Sequence, residues 1–234
     1  MAASVVFDFD GTLAVGNGAV LAYAREVARR AGTGFLERVE RTLAAFDDGL
    51  EDRFRDGYDI VGILGRDAGI APDELQDAYL ASRAALGGPD APVDMAPGLD
   101  ELLAALPAST RVVLATNAPA LGVEPLLDAW GVRARIDALH YDTGKPAGLT
   151  PIIRDALALG PVLSVGDIVE NDLAPAAALG ADTALVGATA AESAAAVTMR
   201  AATLAELAPQ ILAWAHRADA LTPVLPGTGH PLER

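Results

Sequence analysis

A short apolar run that ends in an acidic, glycine-containing turn opens this 234-residue chain and limits the folds open to it. Val5-Val6-Phe7 is followed at once by Asp8-Phe9-Asp10-Gly11-Thr12. A continuous apolar run broken by a Gly-Thr turn is typical of a buried parallel strand. Ligands of open α/β sheets bind beyond the carboxyl ends of such strands. We therefore expect chemistry at Asp8 and Asp10.

The rest of the chain divides into a helical block and an alternating block. From Asn17 to Leu86, apolar residues recur at helical spacing and predict about four helices without an intervening strand. After a linker rich in proline and glycine, predicted helices and strands alternate, which is typical of a doubly wound sheet. The predicted strands are 112–115, 138–139, 162–165 and 184–186, and the predicted helices are 99–106, 121–130, 151–159, 173–179 and 204–214.

These patterns predict an α/β protein with a doubly wound, mostly parallel sheet and an inserted helical domain. Residues 1–14 and 97–218 form the predicted core, and residues 15–96 form the predicted helical insert, called the insert below. Residues 219–234 contain three prolines and two glycines, so we expect an irregular tail there.

Charge and composition narrow the possible partners. The formal net charge is -15, with 32 acidic and 17 basic residues, which argues against a nucleic-acid partner. No apolar run reaches the ~18 residues of a membrane helix and no secretory signal is recognisable, so we expect a cytoplasmic protein without a membrane partner. The absence of cysteine excludes disulfides and thiolate chemistry. An anionic substrate would need local cations, because the overall field opposes its approach.

Three further polar segments follow predicted strands or lie just beyond them. They are Thr116-Asn117, Lys145-Pro146, and the pair Asp167 and Asp172. Taken singly, an aspartate after a strand is more often a helix cap or turn former than a catalyst. Because the carboxyl ends of parallel strands meet at one edge of a sheet, we expect all of these segments to converge on the first acidic pair.

In order and context, these segments resemble the four motifs of phosphatases of the haloacid dehalogenase superfamily. Asp8-Phe9-Asp10-Gly11-Thr12 resembles the first motif, Thr116-Asn117 the second, Lys145-Pro146 the third, and Gly166-Asp167-Ile168-Val169-Glu170-Asn171-Asp172 the fourth. The resemblance covers the core, and it implies a Rossmann-like fold. The insert is similar to the helical cap of the family only in its position and helical content. Ile168 departs from the pattern, since small polar residues are common there in the family.

The resemblance implies a role for each residue, and the chemistry of the side chains agrees. Asp8 would be the nucleophile that forms an aspartyl-phosphate, and Asp10 the general acid and then the general base. Mg²⁺ would be bound by Asp8, Asp167 and the main-chain carbonyl of Asp10, with Asp172 acting through water. The phosphate would be bound by Phe9, Asp10, Thr116, Asn117 and Lys145, of which Asp10, Thr116 and Lys145 are also catalytic.

Lys145 has independent support, because it is the single lysine among 17 basic residues. A compact ammonium can bridge a nucleophile and a phosphate oxygen, which a planar guanidinium does differently. In the insert, Arg53 and Arg55 could reach an anionic substrate group, but solvated or salt-bridged surface positions are favoured for both.

These observations predict a Mg²⁺-dependent phosphatase that acts on a small-molecule phosphate monoester, without specifying the ester or the oligomeric state. Halide departs without a proton, so Asp10 favours phosphoryl transfer over dehalogenation. Two alternatives stay open at this point. A phosphomutase would use the same residues, and a non-catalytic binding or regulatory protein would retain the fold without the reaction.

Overall fold

The computed structural model describes residues 2–51 and 53–220, and its helices and strands follow the predicted alternation. The strands are β1 (Ser4–Phe7), β2 (Ala14–Val15), β3 (Asp94–Met95), β4 (Arg111–Ala115), β5 (Ala138–His140), β6 (Val162–Gly166), β7 (Asp182–Val186) and β8 (Met199–Ala201). The α-helices are α1 (Gly18–Ala31), α2 (Phe35–Asp47), α3 (Gly57–Asp67), α4 (Pro72–Arg83), α5 (Leu99–Ala105), α6 (Ala120–Ala129), α7 (Leu149–Leu157), α8 (Ala174–Ala177) and α9 (Leu204–Ala220).

The main sheet of the described chain contains six parallel strands in the order β5-β4-β1-β6-β7-β8. β1 is central, and its residue Phe7 lies opposite Leu114 of β4 and Val165 of β6. The chain first runs outward from β1 through β4 and β5, then returns to the other side of β1 through β6. This reversal is the position at which open α/β sheets bind ligands. The structure confirms the predicted doubly wound, mostly parallel sheet.

Helices cover both faces of this sheet, which explains why its strands are continuous apolar runs. Side chains alternate between the faces along a strand. Val5 and Phe7 therefore belong to the cluster that includes α5, α6 and α9, whereas Val6 belongs to the cluster of α7 and α8. All three side chains are at most 1% exposed.

The insert has an apolar core of its own, built from one face of each of the helices α1 to α4. Val27, Val39, Ile60 and Val61 are fully buried in this core. A short antiparallel ribbon of β2 and β3 pairs the segments of chain that enter and leave the insert. The ribbon was not predicted, because strands of two residues show no periodicity.

Two other local features differ from the sequence-based expectation. The helix predicted from Leu173 begins earlier, as a π-helical turn over Val169–Leu173, and only the four residues of α8 are α-helical. Strand β8 was not predicted, because three residues are too few to show the alternation of a strand.

The C-terminal helix α9 is longer than predicted. It extends to Ala220, so Asp219 and Ala220 are helical rather than part of an irregular tail. The other residues of that expected tail, 221–234, lie outside the described residues. Neither α9 nor any other helix of the described chain has the length and apolarity needed to cross a membrane.

Leu114 tests the importance of the central strands for stability, because its side chain is fully buried in β4 next to β1. We expect Leu114→Ala to lower the free energy of unfolding by about 2 to 5 kcal/mol, since it removes buried contacts and leaves a cavity. Leu50→Ala is the matched control. Because Leu50 is 81% exposed, this substitution should change the free energy of unfolding by less than about 0.5 kcal/mol. Urea unfolding followed by circular dichroism measures both, and equal effects would contradict the core described above.

Candidate active site

Three aspartates from separate segments lie together at the carboxyl edge of the sheet. Asp8 follows β1, while Asp167 and Asp172 follow β6. One carboxylate oxygen of each residue lies within 4.8 Å of the others. The main-chain N–H of Asp8 donates to the carbonyl of Val165 at 2.9 Å, which continues the strand pairing and keeps Asp8 beside β6. The structure thus brings these predicted site residues into one cluster.

Lys145 places its ammonium between two of these carboxylates. Its Nζ donates to Oδ1 of Asp172 at 2.6 Å and also contacts Oδ1 of Asp8. The side chain is only 3% exposed. Burial disfavours the charged form, but the two carboxylates favour it more strongly, so the pKa of Lys145 is raised and the ammonium stays charged. Oδ1 of Asn117 accepts a hydrogen bond from the main-chain N–H of Lys145 at 2.7 Å and so fixes this loop.

The cluster carries more negative charge than one ammonium offsets. Burial raises the pKa of Asp8 to about 8, with Asp172 adding to the increase and Lys145 opposing it. Burial and the charge of Asp8 raise the pKa of Asp167 well above its usual value. Burial also raises the pKa of Asp172, although Lys145 opposes this. A bound cation would favour the ionised forms of all three carboxyl groups.

The free oxygen atoms of the cluster fit a divalent cation. Oδ1 of Asp167 is buried and has no hydrogen-bond partner among the described residues. Both oxygens of Asp172 are engaged, since Oδ2 accepts from the main-chain N–H of Ile168 at 3.0 Å and Oδ1 from Lys145. Asp8 and Asp167 are therefore better placed for direct ligation than Asp172, and an all-oxygen donor set of this kind suits Mg²⁺. Ile168, the departure noted in the sequence, anchors Asp172 through its main chain.

The side chain of Asp167 occupies space that a side chain at position 11 would fill, so Gly11 permits its close approach. Its φ of +82° is in the left-handed region, and a Cβ atom at this position would lie 2.2 Å from Oδ2 of Asp167. Glycine is therefore needed at this position both for the turn after β1 and for the close approach of the carboxylate.

Of the other predicted phosphate-binding residues, Thr116 has a hydroxyl proton available for a ligand, whereas the Phe9 side chain points away from the cavity into the core. Thr116 is 1% exposed, and its hydroxyl oxygen accepts from the main-chain N–H of Ala118 at 3.0 Å, which leaves its own proton to be donated. The Phe9 side chain points into the core and stacks on Trp130, with ring centroids 6.0 Å apart. Phe9 could therefore contact a phosphate only through its main chain.

Two side chains of the insert that the sequence did not single out hold Asp10. The Tyr58 hydroxyl donates to Oδ1 of Asp10 at 3.1 Å, and Nη1 of Arg83 donates to the same atom at 3.0 Å and to the Tyr58 hydroxyl at 2.8 Å. Arg83 lies on the buried stripe of α4, eight residues after Leu75 and five after Ala78. A charged residue on an otherwise buried helix stripe is the signal that could have identified it.

A cavity of about 580 Å³ between core and insert opens onto these groups. Its volume is in the range of small-molecule sites. Asp10 and Asp167 also border a second cavity of about 510 Å³. The first cavity is lined by Asp8, Asp10, Thr116, Asn117, Lys145 and Asp172 from the core and by Tyr23, Tyr58, Arg66, Gln76 and Tyr79 from the insert.

Arg53 and Arg55 of the insert each form an ion pair, which agrees with the salt-bridged positions favoured for them from the sequence. Arg55 borders the cavity and pairs with Asp59 at 3.0 Å. Arg53 pairs with Glu51 at 3.0 Å, and its guanidinium lies 4.8 Å from the centre of the Phe54 ring.

Solved structures with a similar fold share little sequence with this chain. A proposed haloacid dehalogenase-like hydrolase from Bacteroides fragilis has a TM-score of 0.65 at 22% identity, covering 88% of this chain and 100% of that chain. A proposed phosphoglycolate phosphatase from Lactobacillus plantarum has a TM-score of 0.63 at 21% identity, and the match covers 91% of this chain and 99% of that chain. A proposed HAD-hydrolase, YfnB from Bacillus subtilis, whose structure is bound to magnesium, has a TM-score of 0.61 at 18% identity, covering 91% and 99%.

Sequence comparisons alone give no relative. No protein-family model matches the chain, and no curated protein matches its sequence. The likeness therefore lies in the fold, over nearly the whole length of each of these neighbours.

Asp167→Asn tests the charge balance of the carboxylate cluster. The pKa values of Asp8 and Asp167 are both raised in the folded state, to about 8 for Asp8. Both groups therefore contribute stability that is present below their unfolded pKa of about 4 and is lost as pH rises through the folded pKa of each. We expect Asp167→Asn to raise the melting temperature of the metal-free protein at pH 8 by roughly 2 to 4 °C per kcal/mol of relieved repulsion. We also expect Mg²⁺ to stabilise the wild type and not the variant.

Thermal melts at about pH 6 and pH 8, with and without Mg²⁺, measure both effects. The exposed Asp128 supplies the control, since Asp128→Asn removes one charge outside the cluster and should change neither the metal-free melting temperature nor the response to Mg²⁺. Retained Mg²⁺ stabilisation in Asp167→Asn would show that this carboxylate does not bind the metal.

Proposed function

We propose that this chain, which has the fold of haloacid dehalogenase-superfamily hydrolases, is a Mg²⁺-dependent phosphatase of that superfamily that hydrolyses a small-molecule phosphate monoester. The observation that supports this best is the cluster of Asp8, Asp167 and Asp172, two of which, Asp8 and Asp172, contact the ammonium of Lys145. Asp10, two residues after Asp8, faces the same cavity. Each segment that resembles a superfamily motif contributes a side chain to this site.

The two aspartates of the first segment divide the reaction between them. In the first displacement, a carboxylate oxygen of Asp8 attacks phosphorus, the bond between phosphorus and the ester oxygen breaks, and Asp10 gives a proton to the departing alkoxide. In the second, Asp10 takes a proton from water, whose oxygen attacks phosphorus and releases Asp8. The sum is ester plus water to alcohol plus phosphate, and Asp10 is again protonated at the end.

An anionic ester that enters this site needs more positive charge than Lys145 alone supplies, because the protein has a net charge of -15 and the carboxylates of the cluster outnumber this ammonium. Lys145, whose ammonium contacts Asp8, would bind one phosphate oxygen, and the Thr116 hydroxyl would donate a hydrogen bond to another. Mg²⁺, held by Asp8, Asp167 and the main-chain carbonyl of Asp10, with Asp172 acting through water, would supply further positive charge to the transferring group. The insert covers the cavity and so limits access of bulk water during transfer.

A phosphate-release assay tests the proposed function directly. We expect the purified protein to release inorganic phosphate from at least one ester in a panel of sugar, glycolate and nucleotide monophosphates when Mg²⁺ is present, and not after chelation. Asp8→Asn should reduce release at least about 100-fold, because the nucleophile is lost. An isomerised phosphate ester as product would indicate a phosphomutase instead. No Mg²⁺-stimulated release from any ester would favour a non-catalytic protein.

Lys145→Arg tests the requirement for a compact cation. We expect kcat/KM to fall about 100-fold or more, since a planar guanidinium cannot place one charge between two carboxylates in a position that is 3% exposed. The reverse exchange at an exposed position of α7, Arg154→Lys, also conserves charge and should leave kcat/KM within about twofold. Steady-state kinetics on the best substrate measure kcat/KM, and thermal melts show whether both variants are folded. A folded Lys145→Arg variant with unchanged kcat/KM would show that the lysine is dispensable.

A further inference from the structure

Arg83 is the largest side chain that is completely buried in the described part of the chain. It is the last residue of α4, and it is 1% exposed. Burying a guanidinium costs free energy unless it is paired with a carboxylate. The carboxylate in contact with it is Asp10, while its Nε and Nη2 have no hydrogen-bond partner among the described residues. The buried guanidinium of Arg83 in the insert therefore depends on an ion pair with Asp10 of the core.

The contact involves one oxygen of Asp10 and leaves the other available. Oδ1 of Asp10 accepts hydrogen bonds from Arg83 at 3.0 Å and from the Tyr58 hydroxyl at 3.1 Å. Arg83 also donates to the Tyr58 hydroxyl at 2.8 Å, so the three groups form a closed triangle. Oδ2 accepts no hydrogen bond within residues 2–51 and 53–220. A carboxyl group held at one oxygen by two donors has little freedom to rotate.

The same two donors can remain on Oδ1 in both protonation states of a general acid and base. When Oδ2 carries a proton, Oδ1 is a carbonyl oxygen and still accepts from Arg83 and Tyr58. When Oδ2 has lost its proton, Oδ1 belongs to a carboxylate and accepts from the same donors more strongly. The side chain of Asp10 therefore does not have to turn between the two displacements.

We infer that Arg83 and Tyr58 are positioning residues that hold Asp10 by Oδ1 so that Oδ2 exchanges the proton with the leaving oxygen and then with water. The inference rests on the proposed function. In the first displacement the proton moves from Oδ2 to the ester oxygen as the bond between that oxygen and phosphorus breaks. In the second, a proton of the attacking water moves to Oδ2 as the bond from phosphorus to Asp8 breaks.

The surroundings of Arg83 support an orienting role rather than a substrate contact. The centre of its guanidinium lies 5.7 Å from the ring centre of Tyr79, and the rings of Tyr58 and Tyr79 meet edge to face at 5.8 Å. Tyr58 and Tyr79 border the cavity, whereas Arg83 does not. Arg83 can therefore act on the reaction only through the groups that it contacts.

The leaving group of the substrate distinguishes positioning from structural support. An alkyl phosphate releases a strongly basic alkoxide and needs the proton of Asp10, whereas p-nitrophenyl phosphate releases a weakly basic phenolate that departs without it. We expect Tyr58→Phe and Arg83→Met to slow alcohol release from an alkyl phosphate about 10- to 100-fold in single-turnover experiments. The initial burst of p-nitrophenolate, which reports the first displacement alone, should slow less than about threefold.

Reference variants calibrate this comparison. Asp10→Asn should show the same selective loss on the alkyl phosphate, to a greater degree. Arg83→Lys should recover part of the Arg83→Met loss, because it restores a cation beside Oδ1. Tyr23→Phe removes a hydroxyl from the same aromatic cluster without a bond to Asp10, so any loss should be equal on both substrates. Tyr58→Phe deletes one atom, so it remains informative if Arg83→Met does not fold.

The outcomes separate this inference from the proposed function. The alkyl phosphate is the best substrate of the panel, and a wild type that releases phosphate from no ester of the panel overturns both. An active wild type whose Tyr58→Phe and Arg83→Met variants lose equal rate on both esters, or no rate on either, overturns the positioning role alone. Selective loss on the alkyl phosphate by both variants supports it.

Discussion

The electrostatic cost of placing Asp8, Asp167 and Asp172 within 4.8 Å of one another governs the architecture of this site. Burial and mutual repulsion both disfavour their ionised forms, and Lys145 offsets only part of that cost. The surrounding structure keeps the carboxylates from moving apart. The main chain of Ile168 holds Asp172, and the absence of a side chain at Gly11 admits Asp167. An arrangement that resists relaxation in this way is preorganised for the cation that we propose it binds.

The core and its acidic cluster were predictable because the signals are local. β1, β4 and β6 are short runs of apolar residues that end at polar ones, and the rule for parallel strands brings their carboxyl ends to one edge. The rule also brings the loop after β5, which contains Lys145, to the same edge as Asp8, 137 residues away. The single lysine of the chain gave a second, independent signal. The first signal depends on the order of elements and the second on composition, and neither depends on any detail of packing.

The position of Arg83 on the buried stripe of α4 is a signal in the sequence, but the contacts of the insert with Asp10 were not predictable, because they depend on how one packed unit lies against another. Tyr58 and Arg83 lie 48 and 73 residues from Asp10, and no strand rule connects them to it. Helical periodicity correctly gave α1 to α4 but says only which face is buried, not what that face meets. The two short strands β2 and β3, which join the insert to the core, are below the length at which a pattern can be seen.

The two aspartates of the first segment are held in the same way by different cations. Oδ1 of Asp8 contacts the ammonium of Lys145, and Oδ1 of Asp10 contacts the guanidinium of Arg83. For each of them, Oδ2 accepts no hydrogen bond within the described residues, so one oxygen orients the group while the other is open to a ligand or a proton. Lys145 comes from the core and Arg83 from the insert. Burying a cation without a carboxylate partner costs free energy. The ion pair of Arg83 with Asp10 therefore also stabilises the position of the insert over the site.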